Sequence, residues 1–416
     1  MKTLNIQYSG DKALKEFMEE NNILQKQNVL LQIFTAICEV EFIEELVSSI
    51  KKTAPNINII GATTDGEIIE EKVVSHSTIL SFSIFENTKI KLYTTTAQKA
   101  SFQTAKRLLK KIEDVDDAKV AIVFTDGLNI NGEVFLKAFN KHVPNLTVAG
   151  GLAADNAQFN KTYVFTGDGI VNNSAVAAVL YSPDLIVNTA FSFGWEIIGK
   201  EFRVTNAIEN RVYTIDNQTP IELYKKYLGD KIGGQLPATG IEFPLILNRD
   251  GIKIARAVVA KESDGSLIFA GNIKKGDKVS FGYGNVKHIL NNITDTFDDI
   301  IQNPVESIFI YSCMARKRLL GDEIQTEIMP LSKIAPTSGF FTYGEFHNCN
   351  KLNSCKNQLL NQTMTILALS EDKNKINSNQ TIQMPSLKKN MQTVEAFILP
   401  QLVKTTFPKS LFLPKL

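Results

Sequence analysis

The sequence predicts an α/β protein with mixed sheets, built from βαβ units plus antiparallel meanders and divided into two domains. Three observations carry this. An apolar run, a helical stretch and a second apolar run ending in glycine recur along the chain, and segments of alternating apolar and polar residues lie between the recurrences. The length, 416 residues, is about two to three times that of a usual domain and calls for more than one core.

Residues 1–27 form a helical lead, and residues 28–35 (NVLLQIFT) follow as a nearly continuous apolar run bounded by polar residues. Such a run suits a strand covered on both faces, as in parallel sheets. From Val40 to Lys52, the residues Phe42, Ile43, Leu46, Val47 and Ile50 recur at helical spacing, and the helix stops ahead of Pro55. A second apolar run, Ile57 to Ile60, leads into GATTDGE. The same order returns as KVAIVFT (119–125), a helical stretch over 132–142, Pro144 and NLTVAGG. Superposing the two copies sets Pro55 on Pro144, Asn56 on Asn145 and Gly61 on Gly150. A looser third copy is SIFIYSC (307–313), one helical stretch from Arg316 to Met329, and IAPTSGFF.

Between these units, HSTILSFSIF (76–85), TKIKLYTTT (88–96), NKTYVFTG, NSAVAAVLYS and VNTAFSFGWEII alternate as antiparallel strands do. Residues 250–286 read as a meander with turns at Asp264–Gly265 and Gly276–Asp277. The amphipathic stretch TPIELYKKYLGD (219–230) marks a boundary between an N-terminal domain, 28–215, and a C-terminal one, 216–370. Residues 371–416 begin as a polar linker and end in an apolar tail, where Pro400, Pro408 and Pro414 forbid one long helix and favour an extended docking segment.

Lys and Arg number 45 against 44 Asp and Glu, so the net charge of +1 removes the electrostatic case for a nucleic-acid or anionic-membrane partner. The N-terminus lacks a secretory h-region and no stretch has the length of a bilayer span, so the expected location is the cytoplasm. Of the four cysteines only Cys349 and Cys355 lie close together, without a histidine pair at zinc spacing. Reduced thiols and no metal are expected.

In parallel α/β sheets ligands collect at the carboxyl ends of the strands. The loops there carry Thr63, Thr64, Asp65 and Glu67; Asp126 and Gly127; Gly150, Gly151 and Asp155; Cys313 to Arg316; and Tyr343, Gly344 and Glu345. Hydroxyls, carboxylates, one guanidinium and close-approach glycines suit a small zwitterion or polar metabolite, while the bland reading is that the glycines close turns and Asp65 and Asp155 cap them. Arg316 is the sharpest candidate, as a bidentate fork for a ligand carboxylate; the alternative is an ion pair with Glu323, Glu327 or Glu345. Cys313 is either a thiol activated by Arg316 or a small buried hydrophobe. Trp195 and the FGYG of 281–284 read as core or as pocket lining. No phosphate loop, nucleophile elbow or dinucleotide fingerprint occurs, and no catalytic activity is expected.

Taken in order, GATTDGEI, AGGLAAD followed by YVF, SAVAAVL, FSFGWEIIG, IELYKKYLG, SLIFAGNIKKGDKV, IFIYSCMARKRLLG, GFFTYGEF and NQTMTILALSE span about residues 20–370 and resemble the FIST family. The resemblance implies an intracellular sensory module that binds a small molecule such as an amino acid. Family members are often fused to a kinase, cyclase or chemotaxis-receptor output; this sequence stops soon after the C-terminal half, so output in trans is expected. No cofactor is expected. The alternatives are a haem-binding nitric-oxide sensor, for which none of His76, His142, His288 and His347 has a supporting motif, and a ligand-free adaptor working through residues 391–416.

Overall fold

The computed structural model describes residues 1–96, 100–171, 173–291, 296, 298, 300–348 and 356–377. The tail from 378 onward and the Cys349/Cys355 pair lie outside the described residues.

In the first unit the segment 1–27, expected as a helical lead, opens instead with a strand, β1 (Lys2–Gln7), because its backbone pairs along the edge of the first sheet with residues 79–84; the helix, α1 (Asp11–Glu20), comes only after it. The centre of this unit is β2 (Val29–Thr35), buried at every position as its continuous apolar run demands. The next helix, α2 (Val40–Thr53), turns Ile43, Leu46, Val47 and Ile50 inward, and its lysines at the carboxyl end complement the helix dipole. β3 (Asn58–Thr63) returns parallel to β2, then come the short hairpin β4 (Glu67–Ile69)/β5 (Lys72–Val74) and β6 (Thr78–Ile84), which pairs antiparallel with both β1 and β2.

The second unit repeats this plan. It comprises β7 (Lys89–Thr96), α3 (Ser101–Leu109), β8 (Ala118–Thr125), α4 (Gly132–His142), β9 (Thr147–Leu152), the hairpin β10 (Val164–Thr166)/β11 (Gly169–Val171) and β12 (Ser174–Tyr181). β8 and β9 are parallel, and β12 lies between β8 and β7.

The third unit opens with β13 (Ile186–Ser192), but the chain then leaves it. It builds a seven-stranded antiparallel sheet from β14 (Glu196–Ile208), β15 (Arg211–Ile215), β16 (Leu245–Arg249), β17 (Ile252–Arg256), β18 (Val258–Lys261), β19 (Leu267–Phe269) and β20 (Lys278–Tyr283). The helices α5 (Pro220–Leu228) and α6 (Asp230–Gly234) belong to this stretch, and α7 (Val286–Asn291), which follows it, packs Val286, Ile289 and Leu290 into the core of unit three. Thr219 and Glu222 cap α5 reciprocally, and its Leu223 and Tyr224 share one core with Val212 and Ile215 across position 215/216.

Unit three then resumes with β21 (Ser307–Cys313), α8 (Met314–Leu320), α9 (Ile324–Ser332), β22 (Thr337–Thr342), β23 (Glu345–Asn348), β24 (Asn357–Leu360) and β25 (Met364–Ser370). The single helix expected over 316–329 is two, because the chain turns at Gly321 with φ 53°, a left-handed conformation that ends α8.

The three units are interlocked. The β10/β11 hairpin of unit two completes the sheet of unit one against β3, the β23/β24 hairpin of unit three completes that of unit two against β9, and the β4/β5 hairpin of unit one completes that of unit three against β22. Each unit therefore lends its hairpin to a neighbour, in a closed ring with pseudo-threefold character. The central core draws on all three: Phe34, Phe124, Tyr311 and Phe340 pack with ring centroids 5.1–6.0 Å apart.

Candidate functional site

The ring closes at the carboxyl ends of the three parallel strand pairs. There the Thr63, Leu152 and Phe341 amides donate to the carbonyls of Tyr163, Gly344 and Gly66, each at 2.9 Å. The next turn of the ring is made by Asp65 N to Phe341 O at 2.9 Å, Ala154 N to Thr63 O at 2.8 Å and Tyr343 N to Leu152 O at 3.3 Å. Side chains from residues far apart in sequence are brought together by these bonds.

Units one and three carry the same tetrad here, Thr64-Asp65-Gly66-Glu67 and Thr342-Tyr343-Gly344-Glu345. In each copy the threonine Oγ1 accepts from the glycine amide and donates to the glutamate, which also takes a second hydroxyl: Ser77 Oγ to Glu67 at 2.8 Å, Thr363 Oγ1 to Glu345 at 2.6 Å. Neither carboxyl has a cation within ion-pair distance among the described residues. Burial therefore pushes Glu67 up to about 7 and Glu345 up to about 8, with the hydroxyls opposing the shift.

Unit two departs from the tetrad. Asp155 is buried and its carboxylate accepts the amides of Phe159, Asn160 and Lys161 at 2.7–2.9 Å, while Tyr343 Oη donates to it. The loop it organises holds Asn156, Ala157 and Phe159 at φ 54°, 56° and 51°, a conformation that side chains rarely adopt. Phe159 stacks on Tyr343 at 4.6 Å. Asp126 is held similarly, by the amides of Leu128 and Asn129 and by Thr162 Oγ1 at 3.1 Å.

Most of the residues singled out in the sequence thus serve the scaffold. Thr63 Oγ1 accepts from Tyr163 N at 3.0 Å. Gly150 has φ 119°, and a Cβ there would meet Val123 O at 2.1 Å; one on Gly151 would meet Gly344 O at 2.7 Å. Cys313 is a buried thiol between an apolar patch and the Glu345 carboxyl; burial and then that carboxyl drive its pKa upward, the opposite of activation by Arg316. Trp195 is buried with its indole N–H on Gln362 O at 2.8 Å, and Phe281 lies in the core of the inserted sheet.

Arg316 is placed differently from the ligand-fork expectation. It is fully buried, and all five N–H groups are engaged: Glu327 takes Nε and one terminal nitrogen, and Ser192 Oγ, Phe193 O and Gln362 O take the rest at 2.8–3.3 Å. The ion-pair alternative, with Glu327, is the arrangement present.

The neighbours of Arg316 on α8 face the other way. Lys317 Nζ donates to Asp65 O at 2.5 Å and to Ser75 Oγ at 3.0 Å, and Arg318 lies 3.6 Å from the Asp65 carboxylate with its side chain 27 % exposed. Burial raises Asp65 and lowers Lys317, and the attraction between the acid and its two basic neighbours opposes both shifts. Sequence reasoning passed over Lys317 and Arg318; the signal available was the basic triplet Arg316-Lys317-Arg318 just past an apolar strand. Asp65, Asp155, Tyr343, Lys317 and Arg318 together form an acid–base cluster beside the apolar patch of Phe159, Ile241, Cys313 and Met314.

His76 lies near enough to Asp65 to favour its charged form, while His142 and His288 stand beside Phe102 and Glu196. His347 is buried against Phe191, and burial lowers it to about 3. No group of three or more His, Cys, Asp or Glu side chains able to hold a metal occurs among the described residues, and none of their helices is long and apolar enough to cross a membrane.

Comparison with known families matches residues 29–218 to the FIST N domain and residues 220–348 to the FIST C domain. No curated protein matches the chain. Among solved structures, the crystal structure of cyanuric acid hydrolase from A. caulinodans aligns over 89 % of this chain and 98 % of that one, with a TM-score of 0.38 and 5 % identity, a likeness too low to bear on fold or function.

Proposed function

Because the chain belongs to the FIST family, with the N and C domains matched in succession, we propose that it is a non-catalytic sensory module that binds a small polar molecule at the acid–base cluster around Asp65 and Arg318, an amino acid or similar metabolite being the class to test first. The observation that carries this reading is Arg318. Its guanidinium makes one ion pair among the described residues, at 3.6 Å, beyond hydrogen-bond length, and remains partly exposed at the strand ends. A planar fork so placed is suited to a carboxylate or similar anion. Asp65 supplies a carboxylate acceptor for an ammonium group, while Asp155, saturated by three amides and the Tyr343 hydroxyl, holds the loop that sets Phe159 against Tyr343 as an aromatic wall.

Catalysis is not part of the proposal. A nucleophilic thiol needs a lowered pKa, whereas burial raises Cys313 and takes Cys38 up to about 12. Output passes to a separate signalling protein, such as a kinase, cyclase or chemotaxis receptor. Screening a metabolite library by thermal shift tests the binding claim: a ligand present at about 100 times its Kd contributes roughly 2.7 kcal/mol. The shift should vanish in Arg318→Met. A library that leaves the melting of the wild-type protein unmoved favours the ligand-free adaptor instead.

A further inference from the structure

A cleft of about 430 Å³ lies away from the strand-end cluster, where β1 and α1 of unit one meet the α9–β22 connection of unit three, and its lining includes Leu4, Asn5, Phe17, Glu70, Lys333 and Ile334. The volume is that of a site for a small metabolite, about 300–1,000 Å³. Its charges are arranged unusually. Glu70 accepts Asn5 Nδ2 at 2.7 Å and Thr337 N at 3.2 Å, yet no cation lies within ion-pair distance among the described residues. Its backbone stands at φ 51°, as the two-residue turn between β4 and β5 requires, and this sets its carboxyl at the edge of the cleft. Lys333, exposed on another part of the lining, is likewise without a carboxylate within 4.0 Å among the described residues. Asn5 donates to Glu70 and to Thr337 O, and its Oδ1 is buried without a donor. Between these polar groups stand Phe17, Leu4 and Ile334.

We infer that this cleft is a second ligand site, built for a small zwitterion with an apolar body. Its ammonium group pairs with Glu70, its carboxylate with Lys333, and its hydrocarbon part covers Phe17, Leu4 and Ile334. The two protein charges are too far apart to satisfy each other but line one cleft, so a molecule carrying both opposite charges neutralises both at once. A simple amine would meet the repulsion of Lys333, and a simple acid that of Glu70. The site shares no residue with the Asp65–Arg318 cluster, so either can stand without the other.

L-leucine, isoamylamine and isovalerate serve as probes in calorimetric titrations of the full chain, since the last two each keep the apolar body with one charge. Leucine should bind in an event that persists in Arg318→Met and weakens at least tenfold in Glu70→Gln and in Lys333→Met, with both single-charge analogues at least tenfold weaker than leucine on the wild-type protein. Lys333 is exposed, so its variant folds whatever the fate of Glu70→Gln. No leucine binding, or binding indifferent to Lys333→Met, overturns the inference. Binding lost in Arg318→Met but kept in both cleft variants also overturns it, while supporting the strand-end site.

Discussion

Replacing Glu345 by glutamine should change how stability depends on pH. Glu345 is fully buried, faces Thr342 and Thr363 hydroxyls, and is pushed from an ordinary 4.5 up to about 8, burial being the largest cause. The folded protein therefore keeps a proton that the unfolded chain releases once the pH passes about 4.5. Wherever the folded state binds more protons than the unfolded one, stability falls as pH rises. The loss accumulates from about 4.5 to about 8 and is complete above that range. At about 1.4 kcal/mol per pH unit across this interval, the full penalty is on the order of 5 kcal/mol before relaxation of the site reduces it. Glu67, raised to about 7, adds a loss of the same sign that ends earlier. Glutamine removes the titration while keeping the shape. Urea unfolding at pH 5, 6.5 and 8.5 should show the wild-type protein losing stability steadily, and Glu345→Gln losing clearly less, so that the variant gains on the wild type as pH rises. Equal slopes for the two proteins would refute the reasoning and mean that Glu345 ionises without penalty in the folded state.

Arg316→Lys keeps the charge but gives up the fork to Glu327 and the bonds to Ser192 and two carbonyls. Disrupting a buried pair costs about 3–5 kcal/mol when a partner is removed outright, so a loss of at least about 2 kcal/mol is expected in denaturant unfolding of the ligand-free protein, and an unchanged midpoint would contradict the scaffold role. Cys313, buried with its pKa raised, should react with iodoacetamide at pH 8 only as fast as the protein unfolds, which mass spectrometry of the labelled peptide can follow; labelling of the folded protein at the rate of a free thiol would count against it.

The three parallel strand pairs were legible because each consists of a long apolar run, a helix of period 3.6 and a second run, and the Pro55/Pro144 and Gly61/Gly150 register reflects real equivalence: both glycines sit at the same step of a parallel pair, opposite Ile33 and Val123. The exchange of hairpins was not legible. β4 and β10 are three residues long, and a segment so short carries no pattern that names its partner. Alternation also reads the same in the inserted sheet as in the units it interrupts, so β13 and β21, separated by that sheet, could not be assigned to one unit from sequence. On α8 the difficulty was rotational. Residues two apart on a helix point about 200° from each other, so 316 and 318 face roughly opposite ways, and with the same residue type at both positions nothing in the letters said which arginine is the buried one. The Thr-x-Gly-Glu repeat was visible in the letters, but the isolation of its glutamates from any cation depends on the ring closure.

The claim that a small polar molecule sits at the Asp65–Arg318 cluster is tested most directly by native mass spectrometry of the wild-type protein and Arg318→Met, each purified from cells under the same conditions. A noncovalent adduct of metabolite mass on the wild-type protein, released on denaturation and absent from Arg318→Met, is the predicted result. Bare protein mass in both, or the same adduct at the same occupancy in both, would contradict it.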